Sequence, residues 1–162
     1  MSYLDKFPRF SDLLPDDIAV LERVLVVESF RPGYSFVREG DRVGATAAAM
    51  YIILDGEVQV QARAPQGGFG VRRTIRAGEL FGHYALILEQ SRTATCVATT
   101  SVTVARLDRR VFDELNRRTG GLPARFQFAL ARQLAADMRE LRALLANVVA
   151  TGDEGLIHGP SV

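Results

Sequence analysis

The stretch whose residue types can do chemistry is Ala77-Gly78-Glu79-Leu80-Phe81-Gly82-His83-Tyr84-Ala85-Leu86, followed by Ser91-Arg92-Thr93-Ala94-Thr95. It falls between two predicted strands, where a barrel needs only a turn. Gly82 followed by Tyr84-Ala85-Leu86 reads as one short turn of helix, and the first N–H groups of a helix have no intrahelical partner and attract anions. Arg92 stands just before the next strand, where its planar fork would point back toward that helix end. A helix start plus one arginine inside a barrel is a way to hold a single buried phosphate. Other chemistries are poorly served. His83 and His158 are the only histidines, 75 positions apart, with no His-x-His pair, so neither a metal centre nor catalysis is expected. The single cysteine, Cys96, excludes an intrachain disulfide and any multi-cysteine metal site. It reads as a small core residue, with nothing nearby to activate a thiolate.

The elements that must position these residues are mostly strands. Val24 to Phe30 is β-branched and aromatic and closes on Arg31-Pro32-Gly33. Tyr34 to Arg38 is a second short strand, stopped by Glu39-Gly40-Asp41, and Met50 to Leu54 a third, ended by the turn Asp55-Gly56. Glu57 to Arg63 alternates strictly, the mark of a strand with one face in a core and one in water. After a turn over Pro65 to Gly70, strands are expected over Val71–Ile75, Thr93–Ala98 and Val102–Leu107. Short strands at near-even spacing with turn signals between them, and no long helix from Val24 to Leu107, predict an antiparallel β-roll of jelly-roll type.

Helices flank it. Pro15, Asp16 and Asp17 suit a helix start, with Ile18, Leu21 and Leu25 on one face. A short helix through Val111, Phe112 and Leu115 is broken by Thr119-Gly120-Gly121, and Pro123 opens a longer one. In it Phe126, Leu130, Leu134, Met138, Leu141, Leu145 and Val148 recur every three or four residues. Pro123 to Val149 is 27 residues, about 40 Å at 1.5 Å per residue. A seam that long outruns one small barrel and predicts pairing with a second copy. The expected organisation is one domain over 1–150, with the β-roll at about 24–107 and the C-terminal helices at about 108–149. Residues 151–162 carry three glycines and a proline and read as a flexible tail.

Composition narrows the partners. The chain has 162 residues, 48% of them hydrophobic and 24% charged, as in an ordinary globular domain. Twenty basic residues against 19 acidic ones give a formal charge of +1, too even for a broad grip on nucleic acid or an anionic membrane. Arg72-Arg73 and Arg117-Arg118 accordingly read as solvated faces. The longest uncharged apolar run, Ala47 to Leu54, is eight residues against the ~20 that a spanning helix needs. Asp5, Lys6, Pro8 and Arg9 stand where a signal peptide would be apolar, so a cytoplasmic location is expected.

Arg31-Pro32-Gly33, Glu39-Gly40-Asp41, Tyr51-Ile52-Ile53-Leu54-Asp55-Gly56-Glu57-Val58, and Phe81-Gly82-x-x-Ala85-Leu86 with Arg92-Thr93-Ala94-Thr95 stand in one order. That order resembles the cyclic nucleotide-binding domain shared by the catabolite activator protein, cyclic-nucleotide-dependent kinases and cyclic-nucleotide-gated channels. It runs from Phe10-Ser11 to about Leu145. The resemblance implies a β-roll flanked by helices with a phosphate-binding cassette at Gly82 to Thr95. It implies that Arg92 pairs with the cyclic phosphate of cAMP or cGMP, that amides around Gly82, Tyr84 and Ala85 assist, and that Thr93 offers a hydroxyl. It further implies a C-terminal helix that swings over the base and dimerises.

One departure matters. After Phe-Gly the family carries a glutamate that accepts from the ribose 2′-hydroxyl, and here that position is His83, nine residues before Arg92. A hydrogen bond to a charged group contributes about 1.5–3 kcal/mol, so its loss weakens binding roughly 10- to 150-fold. Neutral imidazole accepts one bond, and imidazolium would instead suit a second phosphate oxygen. Three outcomes stay open: a weakened cyclic nucleotide site, a site retuned to another phosphorylated ligand, or a degenerate cassette acting as a dimeric interaction module. His83 reads equally well as a solvated loop residue. Arg92 has a bland alternative too, a structural pairing with a loop carboxylate. The loop from Gly40 to Tyr51 is about four residues longer than the family pattern and reads as a surface insertion. A helix-turn-helix would be expected after the long helix in an activator, and only about a dozen residues follow it. The expected function is a stand-alone sensor without cofactor, metal, nucleic acid or membrane contact, signalling to an unidentified effector protein.

Overall fold

A computed structural model describes residues 1–41, 48–63, 67–88, 92 and 94–151. The strands are β1 (Val26–Phe30), β2 (Ser35–Val37), β3 (Ala49–Asp55), β4 (Glu57–Arg63), β5 (Phe69–Arg76), β6 (Leu80–Phe81), β7 (Thr95–Ala98) and β8 (Val102–Asp108). They form two four-stranded antiparallel sheets, ordered β1-β8-β3-β6 and β2-β7-β4-β5. The helices are α1 (Pro15–Val24), α2 (His83–Leu88), α3 (Arg109–Asn116) and α4 (Leu122–Thr151). The fold is therefore the expected β-roll with an N-terminal helix and C-terminal helices. Helix α1 takes Val24, which the β-branched texture had suggested for the first strand. Helix α4 reaches Thr151, where the tail was expected to begin, and residues 152–162 of that tail lie outside the described residues.

Strand β3 explains why Met50-Tyr51-Ile52-Ile53 is apolar throughout. Met50 and Ile52 pack under the helices with Leu21, Leu107 and Phe126, whereas Ile53 packs inside the roll with Val58, Ile75 and Val104. A strand buried on both faces loses the polar alternation that β4 keeps. The N-terminal segment joins the outer core through Leu4, Phe7 and Phe10, around a 3-10 turn at Pro8–Phe10. Asp17 serves two ends of the chain: its carboxylate accepts from the Leu14 amide at 2.9 Å and from Arg125 of α4 at 2.6 and 3.0 Å. The Arg125 bond holds the Asp17 carboxyl below the usual carboxylate range. That pair pins the start of α4 to α1. Phe126, Ala129 and Leu130 complete the outer core, but Met138, Leu141, Leu145 and Val149 are exposed. The predicted seam of α4 is thus a core contact over its first turns and a free apolar stripe beyond them.

Candidate functional site

Arg92 is positioned by its backbone. Its amide donates to the Asp41 carbonyl at 3.0 Å, and its carbonyl accepts from the Gly40 amide at 2.9 Å. The turn Glu39-Gly40-Asp41 therefore holds the arginine, and the Glu39 amide ties that turn to the Thr95 hydroxyl at 2.9 Å. The guanidinium donates to the Gly82 carbonyl at 3.1 Å and reaches the Ala49 carbonyl at 3.5 Å. Among the described residues no carboxylate pairs with it. Burial pushes its pKa down, opposed by Tyr51, Cys96 and Asp41. A cation held only by carbonyls in a partly desolvated setting favours an arriving anion.

Gly82 supplies the turn between β6 and α2. Its φ is +81°, and a Cβ there would sit 2.7 Å from the Ala49 carbonyl oxygen, so only glycine fits. Helix α2 then begins at His83, with Ala85 and Leu86 buried and Tyr84 exposed. The short helical turn expected after Gly82 is present. Thr93 lies outside the described residues, as do residues 42–47 of the long loop and 64–66 of the turn before β5.

His83 is 1% exposed, which corrects the solvated-loop reading: α2 turns its ring inward against α4. The ring stacks on Tyr84, with centroids 4.6 Å apart and 29° between planes. Burial pushes its pKa from 6.5 down to about 4; Asp137 opposes this, while Arg73 and Arg9 reinforce it. Nε2 lies 3.7 Å from Asp137 Oδ2, but with the imidazole neutral this contact is not an ion pair. Among the described residues neither ring nitrogen has a hydrogen-bond partner.

Asp137 and Gln133 come from α4 and had not been singled out. Gln133, fully buried, accepts from the Leu80 amide at 3.2 Å and donates to Asp137 Oδ1 at 2.7 Å. The Tyr84 hydroxyl donates to Asp137 Oδ2 at 3.3 Å. Arg73 pairs with Asp137, donates to Glu79 at 2.9 Å and faces Glu140 at 3.0 Å. Arg73 is therefore a half-buried hub and not the solvated residue its Arg72 neighbour suggested; three carboxylates compensate its desolvation. The signal for Gln133 and Asp137 was present, since an i, i+4 polar pair interrupts the apolar face between Leu130 and Leu144.

These groups surround a cavity of about 610 Å³, within the usual range of roughly 300–1,000 Å³ for small-ligand sites. Val37, Val60, Ile75 and Cys96 line it from the roll, Leu88 from α2, and Leu141 and Leu144 from α4. Gly82, His83, Tyr84, Ala85 and Arg92 all reach it, so five of the six predicted site residues are brought together. Cys96 is a buried core thiol, as expected, pushed up to about 12 by desolvation. No group of three or more metal-ligating side chains occurs among the described residues, and none of their helices is long and apolar enough to cross a membrane.

Residues 27–119 match the family model of the cyclic nucleotide-binding domain. The cAMP-dependent protein kinase regulatory subunit of Aspergillus fumigatus is 31% identical over 114 residues, covering 70% of this chain and 26% of that protein. That of Eremothecium gossypii is 34% identical over 113 residues, covering 70% and 23%. The chain thus spans about a quarter of the length of these curated relatives. Among solved structures, the Thermus thermophilus catabolite activator protein superposes with a TM-score of 0.68 at 26% identity, over 85% of this chain and 62% of that one. The regulatory subunit of a cAMP-independent protein kinase A from Trypanosoma brucei gives 0.65 at 26%, over 81% and 45%. A cyclic nucleotide-binding domain from Methylobacillus flagellatus gives 0.77 over 90% and 80%, at 23% identity.

Proposed function

Since the chain belongs to the cyclic nucleotide-binding domain family, we propose that it is a regulatory sensor that takes cAMP or cGMP into the cavity between roll and α4. The observation that carries this is Arg92: a cavity-facing guanidinium clamped by the 39–41 turn, bonded only to carbonyls among the described residues. Arg92 and the first amides of α2, from His83 to Ala85, hold the cyclic phosphate. Thr93, next in sequence to Arg92, adds its hydroxyl. The base lies against the apolar wall to which α4 contributes Leu141 and Leu144. A ligand touching both roll and helix shifts the position of α4, and an effector protein reads that shift.

The chain acts by binding rather than catalysis, in a cytoplasmic setting and without nucleic acid, metal or membrane. Relatives named as kinase regulatory subunits support a binding role. The solved relatives include a regulatory subunit called cAMP-independent, and a triple-substituted form of it bound to cAMP. The cavity's own side chains therefore carry the assignment for this chain. The apolar stripe of α4 pairs with a second copy, giving a homodimer.

Calorimetry with cAMP, cGMP and cyclic dinucleotides tests the reading. Binding of cAMP or cGMP is expected, weakened at least about tenfold by Arg92→Ala, because each charge-assisted bond contributes about 1.5–3 kcal/mol. If no nucleotide binds in a manner that depends on Arg92, the protein is an interaction module built on a degenerate cassette.

A further inference from the structure

Helix α4 is anchored at one end and lightly held beyond it. Among the described residues its last buried apolar side chain is Leu130. Past that point the bonds that tie it down are polar. The Leu80 amide donates to Gln133 at 3.2 Å, the Tyr84 hydroxyl donates to Asp137 at 3.3 Å, and Arg73 pairs with Asp137 and Glu140. Leu141 and Leu144 line the cavity yet remain exposed. A segment that gives up little apolar burial on leaving its neighbours opens locally, well before the domain unfolds.

Under this lightly held stretch lies His83. It is 1% exposed, and both ring nitrogens are buried without a hydrogen-bond partner among the described residues. A buried imidazole that bonds to nothing does not strengthen the seam it occupies. The groups facing it come from each neighbouring element: Asp137 of α4, with Oδ2 3.7 Å from Nε2, Tyr84 of α2, Arg73 of β5, and Arg9 of the N-terminal segment. Glu79 and Glu140 are engaged by Arg73. Burial disfavours the imidazolium most; Asp137 opposes this, while Arg73 and Arg9 reinforce it. Asp137 is already taken up by Arg73, Gln133 and Tyr84. With α4 away, the ring meets water and takes a proton in the ordinary histidine range.

We propose that His83 is a proton switch for helix docking: mild acid releases the part of α4 beyond Leu130 from the roll, because only the released form admits a proton on the imidazole. The proposal stands whichever ligand enters the cavity. The released form has the higher pKa, so protons favour release below about 6.5 and leave docking untouched above it. With the ring titrating at about 4 under the docked helix and near 6.5 in water, the ratio of released to docked helix rises about 10- to 30-fold from pH 7.5 to pH 5.

The test is amide hydrogen exchange of the full chain, followed by NMR at pH 7.5 and pH 5 and divided by the intrinsic exchange rate at each pH. The Leu80 amide reports docking, since its acceptor is Gln133 of α4. Amides of β8 report unfolding of the roll. Leu80 is expected to be less protected than β8 at both pH values. Between them its protection is expected to fall about 10- to 30-fold more in the wild type than in His83→Gln. An equal fall in both proteins overturns the proposal. So does a Leu80 amide exchanging only as slowly as β8, because the helix then leaves only when the roll unfolds. Should His83→Gln fail to fold, NMR titration of the wild-type imidazole decides. The ring is expected to stay neutral to about pH 4, and a ring that titrates near 6.5 with Leu80 protection unchanged overturns the switch.

Discussion

A histidine with two arginines and one carboxylate around it, and almost no water, settles its charge by desolvation. His83 stays neutral in the folded chain down to about pH 4, but in the unfolded chain it titrates near 6.5. The folded pKa is the lower one, so between these values the unfolded state takes up a proton that the folded state refuses. Stability is full above pH 6.5, falls as pH drops through the window, and loses about 3 kcal/mol by pH 4. Urea denaturation at pH 7.5 and pH 5 is expected to show the wild type losing about 2 kcal/mol more than His83→Gln. Equal losses would place the imidazole in a polar, hydrated setting instead. What the sequence disclosed at this scale was uneven. Arg92 and Gly82 announced themselves by residue type and spacing. The burial of His83 did not, because it depends on Asp137, 54 positions later. Arg73 misled for a related reason: its carboxylates come from Glu79, just before β6, and from Asp137 and Glu140 of α4.

At the scale of elements, α4 does two jobs along its length. Its first turns are core, pinned by the Asp17–Arg125 pair and by Phe126 and Leu130. Its middle closes the cavity through Gln133, Asp137, Leu141 and Leu144. Its far end carries exposed Leu145 and Val149, beyond reach of the roll. An apolar stripe continuous with a core contact suits pairing with a second copy of the same helix. Light scattering at high micromolar concentration is expected to give twice the monomer mass, with Leu145→Glu plus Val149→Glu returning it to monomer. A monomeric wild type would contradict the dimer. The periodicity of α4 was plain in the sequence, but its division into core, cavity wall and free stripe was not, since one spacing serves all three. Strand β6, two residues long, gave no periodic signal at all. The 3-10 turn at Pro8–Phe10 is likewise too short to show a period.

For the molecule as a whole, two sheets and α4 line a cavity whose charged groups divide its labour. Arg92 faces it without a carboxylate among the described residues, whereas Arg73 is matched by Glu79, Asp137 and Glu140. The near-zero net charge of the sequence thus conceals a cavity-facing guanidinium, Arg92, which the proposed function assigns to an anion. The roll was legible from turn chemistry and alternation because those are local. The cavity's α4 wall was not, because it needs residues 133–144 to return to a cassette at 82–92. A structure of the protein with cAMP tests the central claim most directly. The expected result is the cyclic phosphate within hydrogen-bond distance of the Arg92 guanidinium and the base against Leu141 and Leu144. A nucleotide bound elsewhere, or with its phosphate turned away from Arg92, would contradict it.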